Sequence, residues 1–176
     1  MEEYYMKKIF AFALVIAMML TMVACGGKEA AADKTPLEGT MEEITMKVME
    51  IAPVEFMGGC IPVDLNDADS VFYFTGLQSA ENVTDVAVYE PMMGSQAFSL
   101  VMVRTAEGAD PKVVAQEMKD NIDPRKWICV GADEIMAAGY ADTVMFIMLD
   151  SQLGLSAQSY VDAFAQVAGA DLDFTI

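Results

Sequence analysis

Phe98, Leu100 and Met102 alternate with Ser99, Val101 and Val103, so an extended segment over residues 96–104 presents largely apolar side chains on both faces. A strand of that kind is central in its sheet, because neither face tolerates water. Val144 to Leu149 reads as another strand, an uninterrupted apolar run. Around these two, Val83 to Tyr89 reads as a further strand, joined to 96–104 through the connection Pro91 to Ser95. Trp127, Cys129 and Val130 lead into another at Ile135 to Ala138, which the turn residues Gly139 to Asp142 join to Val144. Leu172, Phe174 and Ile176 alternate and fit an edge strand, while Val54 to Val63, interrupted by Gly58, Gly59 and Pro62, fits either a loop or a short edge strand.

The helices announce themselves by their ends. Thr40 and Glu43 have the spacing of a capping box, and Met41, Ile44, Val48 and Ile51 then share one face until Pro53 stops the pattern. Asp67 or Asp69 caps a short helix, Ser70 to Thr75, closed by Gly76. Asp110 followed by Pro111 opens a helix whose Val114, Met118 and Ile122 form a stripe, interrupted by Asp123 and Pro124. Ser156 caps a last helix in which Tyr160, Val161, Phe164 and Val167 are the buried positions, with Gly169 beyond its end. The order contains two strand-strand-helix units. It predicts an α+β fold, an antiparallel sheet of four to five strands with helices packed on one face.

The N-terminal stretch has a different purpose. Lys7 and Lys8 precede an apolar run from Ile9 to Met22, which lacks the polar period of a buried amphipathic helix and is short for a membrane span. Met22, Val23, Ala24 and Cys25 then place small residues ahead of a cysteine. This predicts an export signal over residues 1–24, with Cys25 acylated and new at the terminus. Two acyl chains, each buried methylene contributing about 0.8 kcal/mol, hold a domain on the bilayer without a spanning helix. Residues 25–36, mostly Gly, Ala, Lys, Asp and Thr, form a tether, and residues 37–176 a single domain.

The runs Tyr89-Glu90-Pro91-Met92-Met93-Gly94-Ser95-Gln96-Ala97 and Asp123-Pro124-Arg125-Lys126-Trp127-Ile128-Cys129-Val130, behind a lipobox-like cysteine, resemble an uncharacterised family of Gram-positive bacterial lipoproteins, a domain of unknown function. The resemblance covers the chain from about Glu38 onward. It implies a domain anchored at the outer face of the cytoplasmic membrane and supplies no catalytic residues.

Chemistry is conspicuous by what is missing. The chain has no histidine, which removes Ser-His and Cys-His nucleophiles and imidazole zinc sites. No Ser-x-x-Lys and no Gly-rich phosphate loop occur. The adjacent carboxylates Asp133 and Glu134 read as solvated surface. No cofactor is expected, and a formal charge of −17 argues against nucleic acid and for a soluble surface or a cationic partner.

Three groups of residues remain as candidates. Asp64, Asn66, Asp67 and Asp69 offer alternating oxygen ligands, but Ala68, Asp69 and Thr75 stand where a calcium loop needs a ligand, a glycine and a bidentate glutamate, so helix capping is the better reading. Cys60 and Cys129 either form a disulfide or are two buried free thiols. Arg125, Lys126 and Trp127 are the cationic and aromatic cluster of an acidic domain. They either grip an anionic sugar or peptide carboxylate, or Trp127 is core and the two cations answer the preceding helix end. The expectation is a lipid-anchored, non-enzymatic domain that binds a cell-surface protein partner, with a small-ligand or cation receptor as the alternative.

Overall fold

The computed structural model describes residues 34–176, so the predicted signal, Cys25 and most of the tether lie outside the described residues. Six strands form one sheet: β1 (Gly58–Pro62), β2 (Val83–Pro91), β3 (Phe98–Thr105), β4 (Glu134–Tyr140), β5 (Thr143–Leu149) and β6 (Phe174–Thr175). Their order is β1-β2-β3-β5-β4-β6, with every neighbouring pair antiparallel. The two strands with apolar faces on both sides, β3 and β5, lie side by side at the centre, as their patterning demands. Both segments that read as edge strands are edges, which raises the expected four to five strands to six.

Four helices accompany the sheet: α1 (Met41–Ile51), α2 (Ala68–Thr75), α3 (Pro111–Asn121) and α4 (Ala157–Ala168). They do not share one face. Met41, Ile44 and Val48 of α1 and Tyr160, Val161 and Phe164 of α4 pack on Phe98, Leu100, Met102, Met145, Ile147 and Leu149. Val71 of α2 and Val114, Ala115 and Met118 of α3 pack on Val101, Val103, Val144, Phe146 and Met148 from the other side. The expectation of a one-sided sheet is corrected to three layers. The cause is elementary: Val101, Val103, Val144, Phe146 and Met148 are all fully buried, and only a second helical layer could bury them. The two strand-strand-helix units occur in the expected order, yet they are not copies, because α3 and α4 lie on opposite faces.

The helix ends show how local chemistry fixes the frame. Thr40 and Glu43 exchange both hydrogen bonds of the capping box, and the Asp85 carboxylate also accepts from the Met41 amide at 2.8 Å. Gly76 closes α2 at φ +76° against the backbone of Met118 and Ile122, a site with no room for a Cβ. Ser156 occupies the N-cap position of α4 but makes no side-chain cap bond; Glu134 of β4 accepts from the Ala157 amide instead, at 2.7 Å. Its neighbour Asp133 accepts from the amide and hydroxyl of Ser151, both at 2.7 Å, which holds its carboxyl below the usual range. The pair read as idle surface thus secures two helical turns.

The sheet has two unlike ends. At one, Arg104 of β3 donates to the carbonyls of Leu37 and Gly39, and Lys34 pairs with Asp173 at 2.7 Å. The chain therefore joins the domain beside the β4–β5 turn. At the other end are the β2–β3 connection, the start of β1 and the segment 122–133 that leads into β4.

Candidate functional site

Segment 122–133 crosses the end of the sheet distant from Lys34, and it contains the cluster singled out from sequence. The structure divides that cluster. The Lys126 side chain turns inward and is only 2% exposed, with its Nζ 2.6 Å from Oε1 of Glu90 at the end of β2. Ser99 Oγ donates to the same oxygen at 2.8 Å. The rings of Tyr73, Phe74 and Trp127 surround the ammonium at 5.0, 5.3 and 5.5 Å from their centroids. Burial pulls the amino group below the ordinary lysine value, and the charges of Glu90 and Asp123 offset part of that.

Serine, lysine and glutamate together contain the groups of a lysine-assisted nucleophile. The geometry gives them another role, because Ser99 is fully buried and its proton is directed at Glu90. The three instead pin segment 122–133 onto the sheet, with the aromatic rings favouring the charge that burial disfavours. Nothing in the spacing of residues 90, 99 and 126 announces this network. The available signal was Glu90 itself, a charge within the strand that ends in Val88-Tyr89-Glu90-Pro91.

Arg125 and Trp127 are arranged differently. Together with Cys129, Val130, Gly131 and Ala132 they line a concavity of about 560 Å³. Arg125 has no acidic partner among the described residues, and the indole Nε1–H of Trp127 is buried without an acceptor. The body of Trp127 packs on the second core layer, so the residue is both wall and core.

The same end of the sheet also exposes apolar side chains. Met57, Met92, Met93 and Ile128 are between 66% and 78% exposed, more than any other large apolar residue among the described residues. They come from three separate segments that backbone hydrogen bonds bring together: the Met92 amide donates to the Met57 carbonyl, and the Ile128 amide to the Gly94 carbonyl, each at 2.9 Å. We refer to these four as the rim.

The other sequence candidates lie elsewhere. Asp64 accepts from the amide and side chain of Asn66, and Asp67 is the N-cap of α2, accepting from the amides of Asp69 and Ser70. Those oxygens are committed to a turn and a cap. Cys60 and Cys129 are free thiols and are not brought together. Cys60 lies in β1 against Met46 of α1 at 3.9 Å, whereas Cys129 is exposed in the loop at φ +62°, not in the buried apolar setting its neighbours suggest.

Comparison of the chain with protein-family models, with curated proteins and with solved structures found no match.

Proposed function

We propose that the chain is a lipoprotein, cut ahead of Cys25 and held by acyl chains at the outer face of the cytoplasmic membrane, whose domain is a non-enzymatic docking module for a cell-surface protein. The resemblance to Gram-positive lipoproteins belongs to the same reading. The observation that carries the docking role is that, among the described residues, the four most exposed large apolar side chains gather at one end of the sheet, while Lys34, the first described residue, lies at the other. Exposed apolar clusters of this kind mark contact surfaces, and methionine adapts its shape to a partner.

The acidity of the domain selects the partner: Glu55 and Asp123, exposed in the rim's own segments, favour an apolar contact bordered by Lys or Arg. An anionic bilayer is disfavoured for the same reason.

The test has two arms. Acyl labelling and membrane fractionation should both be lost in Cys25→Ser, and labelling that persists would end the anchoring reading. A photo-reactive side chain in place of Met93 should give one discrete adduct in intact cells, reduced by Met57→Ser or Ile128→Ser, and the same probe at Val113 on α3 should not. Equal adducts from both positions would end the docking reading.

A second reading, a receptor for a small carboxylate, rests on Arg125 and the orphaned Trp127 donor in their shared concavity. A selective rise in melting temperature with a carboxylate, lost in Arg125→Ala, would favour it over the first.

A further inference from the structure

Segment 122–133 holds hydrogen-bond donors that the fold itself does not use. The Ala132 amide donates to the Pro124 carbonyl at 2.8 Å and closes a loop over residues 124–132, and every residue lining the concavity described above belongs to that loop. The amides of Cys129, Val130 and Gly131, three of the lining residues, donate to no acceptor among the described residues. Cys129 stands at φ +62°, and a left-handed residue in a loop turns successive amides toward one side, the arrangement in which backbone binds anions. Arg125 adds a charge to the set. Its stem is held against the loop, since a Cβ at Gly131 would lie 3.2 Å from its Cγ, and its guanidinium has no acidic partner among the described residues. Such donors suit one anionic group. A polyanion is disfavoured by the formal charge of −17 and by Asp123 of the same segment, whose carboxylate accepts from the Arg125 amide at 2.8 Å.

The loop is also continuous with the rim. Ile128, 74% exposed, lies between two residues that line the concavity, and its amide bond to Gly94 ties it to the connection that carries Met92 and Met93. We propose that this surface recognises a free C-terminus. Arg125 and the amides of residues 129–131 bind the terminal carboxylate of a partner chain, and the apolar side chains of its last residues lie on Ile128, Met92 and Met93. The inference rests on the docking reading and names the chemistry of the partner. A carboxylate presents two oxygens to the guanidinium fork, and clustered backbone amides are donors that capture chain ends. An extended chain advances about 3.3 Å per residue, so its last few residues are enough to pass from the loop onto the methionines. Lys or Arg further back in the partner complements Glu55 and Asp123.

The test presents the full chain carrying Cys25→Ser, kept reduced, with short synthetic peptides randomised at their last positions, as free acids and as C-terminal amides. Free acids with apolar last residues should be retained, and amidation of a selected peptide should weaken binding at least about tenfold by fluorescence anisotropy. Arg125→Gln should weaken the free acid by the same factor and leave the amide unchanged, because both changes remove one interaction. An unaltered melting midpoint in Arg125→Gln shows that the fold is intact. Ile128→Ser should weaken acid and amide alike. A preference for the acid that survives Arg125→Gln, or retention of no free acid, would overturn the inference. Equal binding of acid and amide, both weakened by Ile128→Ser, would overturn it too and leave the docking reading standing. An acid preference indifferent to Ile128→Ser and Met93→Ser would end the docking reading, and this inference with it, in favour of the small-carboxylate receptor.

Discussion

The two ends of the sheet treat charge in opposite ways. Beside the β4–β5 turn, Lys34 and Arg104 meet Asp173, Asp142 and backbone carbonyls at partly exposed positions, polar groups outside and apolar groups beneath. At the rim this order is inverted. The lysine is inside, boxed by aromatic rings against Glu90, and the methionines are outside. The first arrangement is the ordinary one for a surface that faces water. The second is costly for a domain that meets only water, and it has a purpose if the rim is covered by something else.

Substitutions can break this comparison at several depths. The largest effect is expected from Lys126→Ala, which leaves Glu90 buried with only the Ser99 hydroxyl: about 3–5 kcal/mol by denaturant unfolding. Replacing Lys126 and Glu90 together by Leu and Met should recover most of that loss, whereas Lys34→Ala at the other end should cost about 0–1 kcal/mol. A Lys126→Ala cost no greater than that of Lys34→Ala would erase the distinction between the ends.

Next comes Gly139, where an added Cβ would run into the Phe174 ring. Gly139→Ala should displace β6 and cost about 1–3 kcal/mol by overpacking, read as a lower denaturation midpoint and faster exchange of the Ile176 amide.

Tyr160, packed against Phe98 near the rim end, has a buried hydroxyl without a partner, and burial pushes its ionisation well above the ordinary tyrosine value. The unfolded chain ionises near the ordinary value while the folded chain does not. Tyr160 therefore withdraws stability as pH rises above about 10, and none below it. Tyr160→Phe should flatten the alkaline limb of a stability–pH profile and be neutral or stabilising by about 1 kcal/mol at pH 7. An unchanged alkaline limb would contradict the buried, unpartnered hydroxyl.

Smallest of all, Met92→Ser and Met93→Ser should each move stability by less than about 0.5 kcal/mol, because those side chains lose no burial in the free domain. A large loss would mean that the rim is core rather than contact surface.

Much of the architecture was legible in the residues. Thr40 with Glu43, Asp67 with Gly76, and Asp110 with Pro111 mark helix ends by groups that act within a few positions of one another, and the structure uses each of them. The central place of β3 was legible because it is apolar on both faces. That same pattern already required a second helical layer, and the one-sided expectation did not follow it through. What stayed hidden depends on partners far apart in the chain. Glu134 reaches across to α4, and Glu90 meets Lys126 only after the sheet and the loop have both formed. The division of Arg125, Lys126 and Trp127 was hidden for the same reason. Adjacent residues in an irregular segment have no period to declare which one turns inward.

Arg104 has a mechanical consequence. Its guanidinium ties residues 37 and 39 to β3, in the middle of the sheet, and not only to α1, which directly follows them. A tug on the chain before Lys34 first loads the Lys34–Asp173 pair and then this clamp. The load thus passes into the strand held by neighbours on both sides, and α1 is shielded from being peeled away turn by turn.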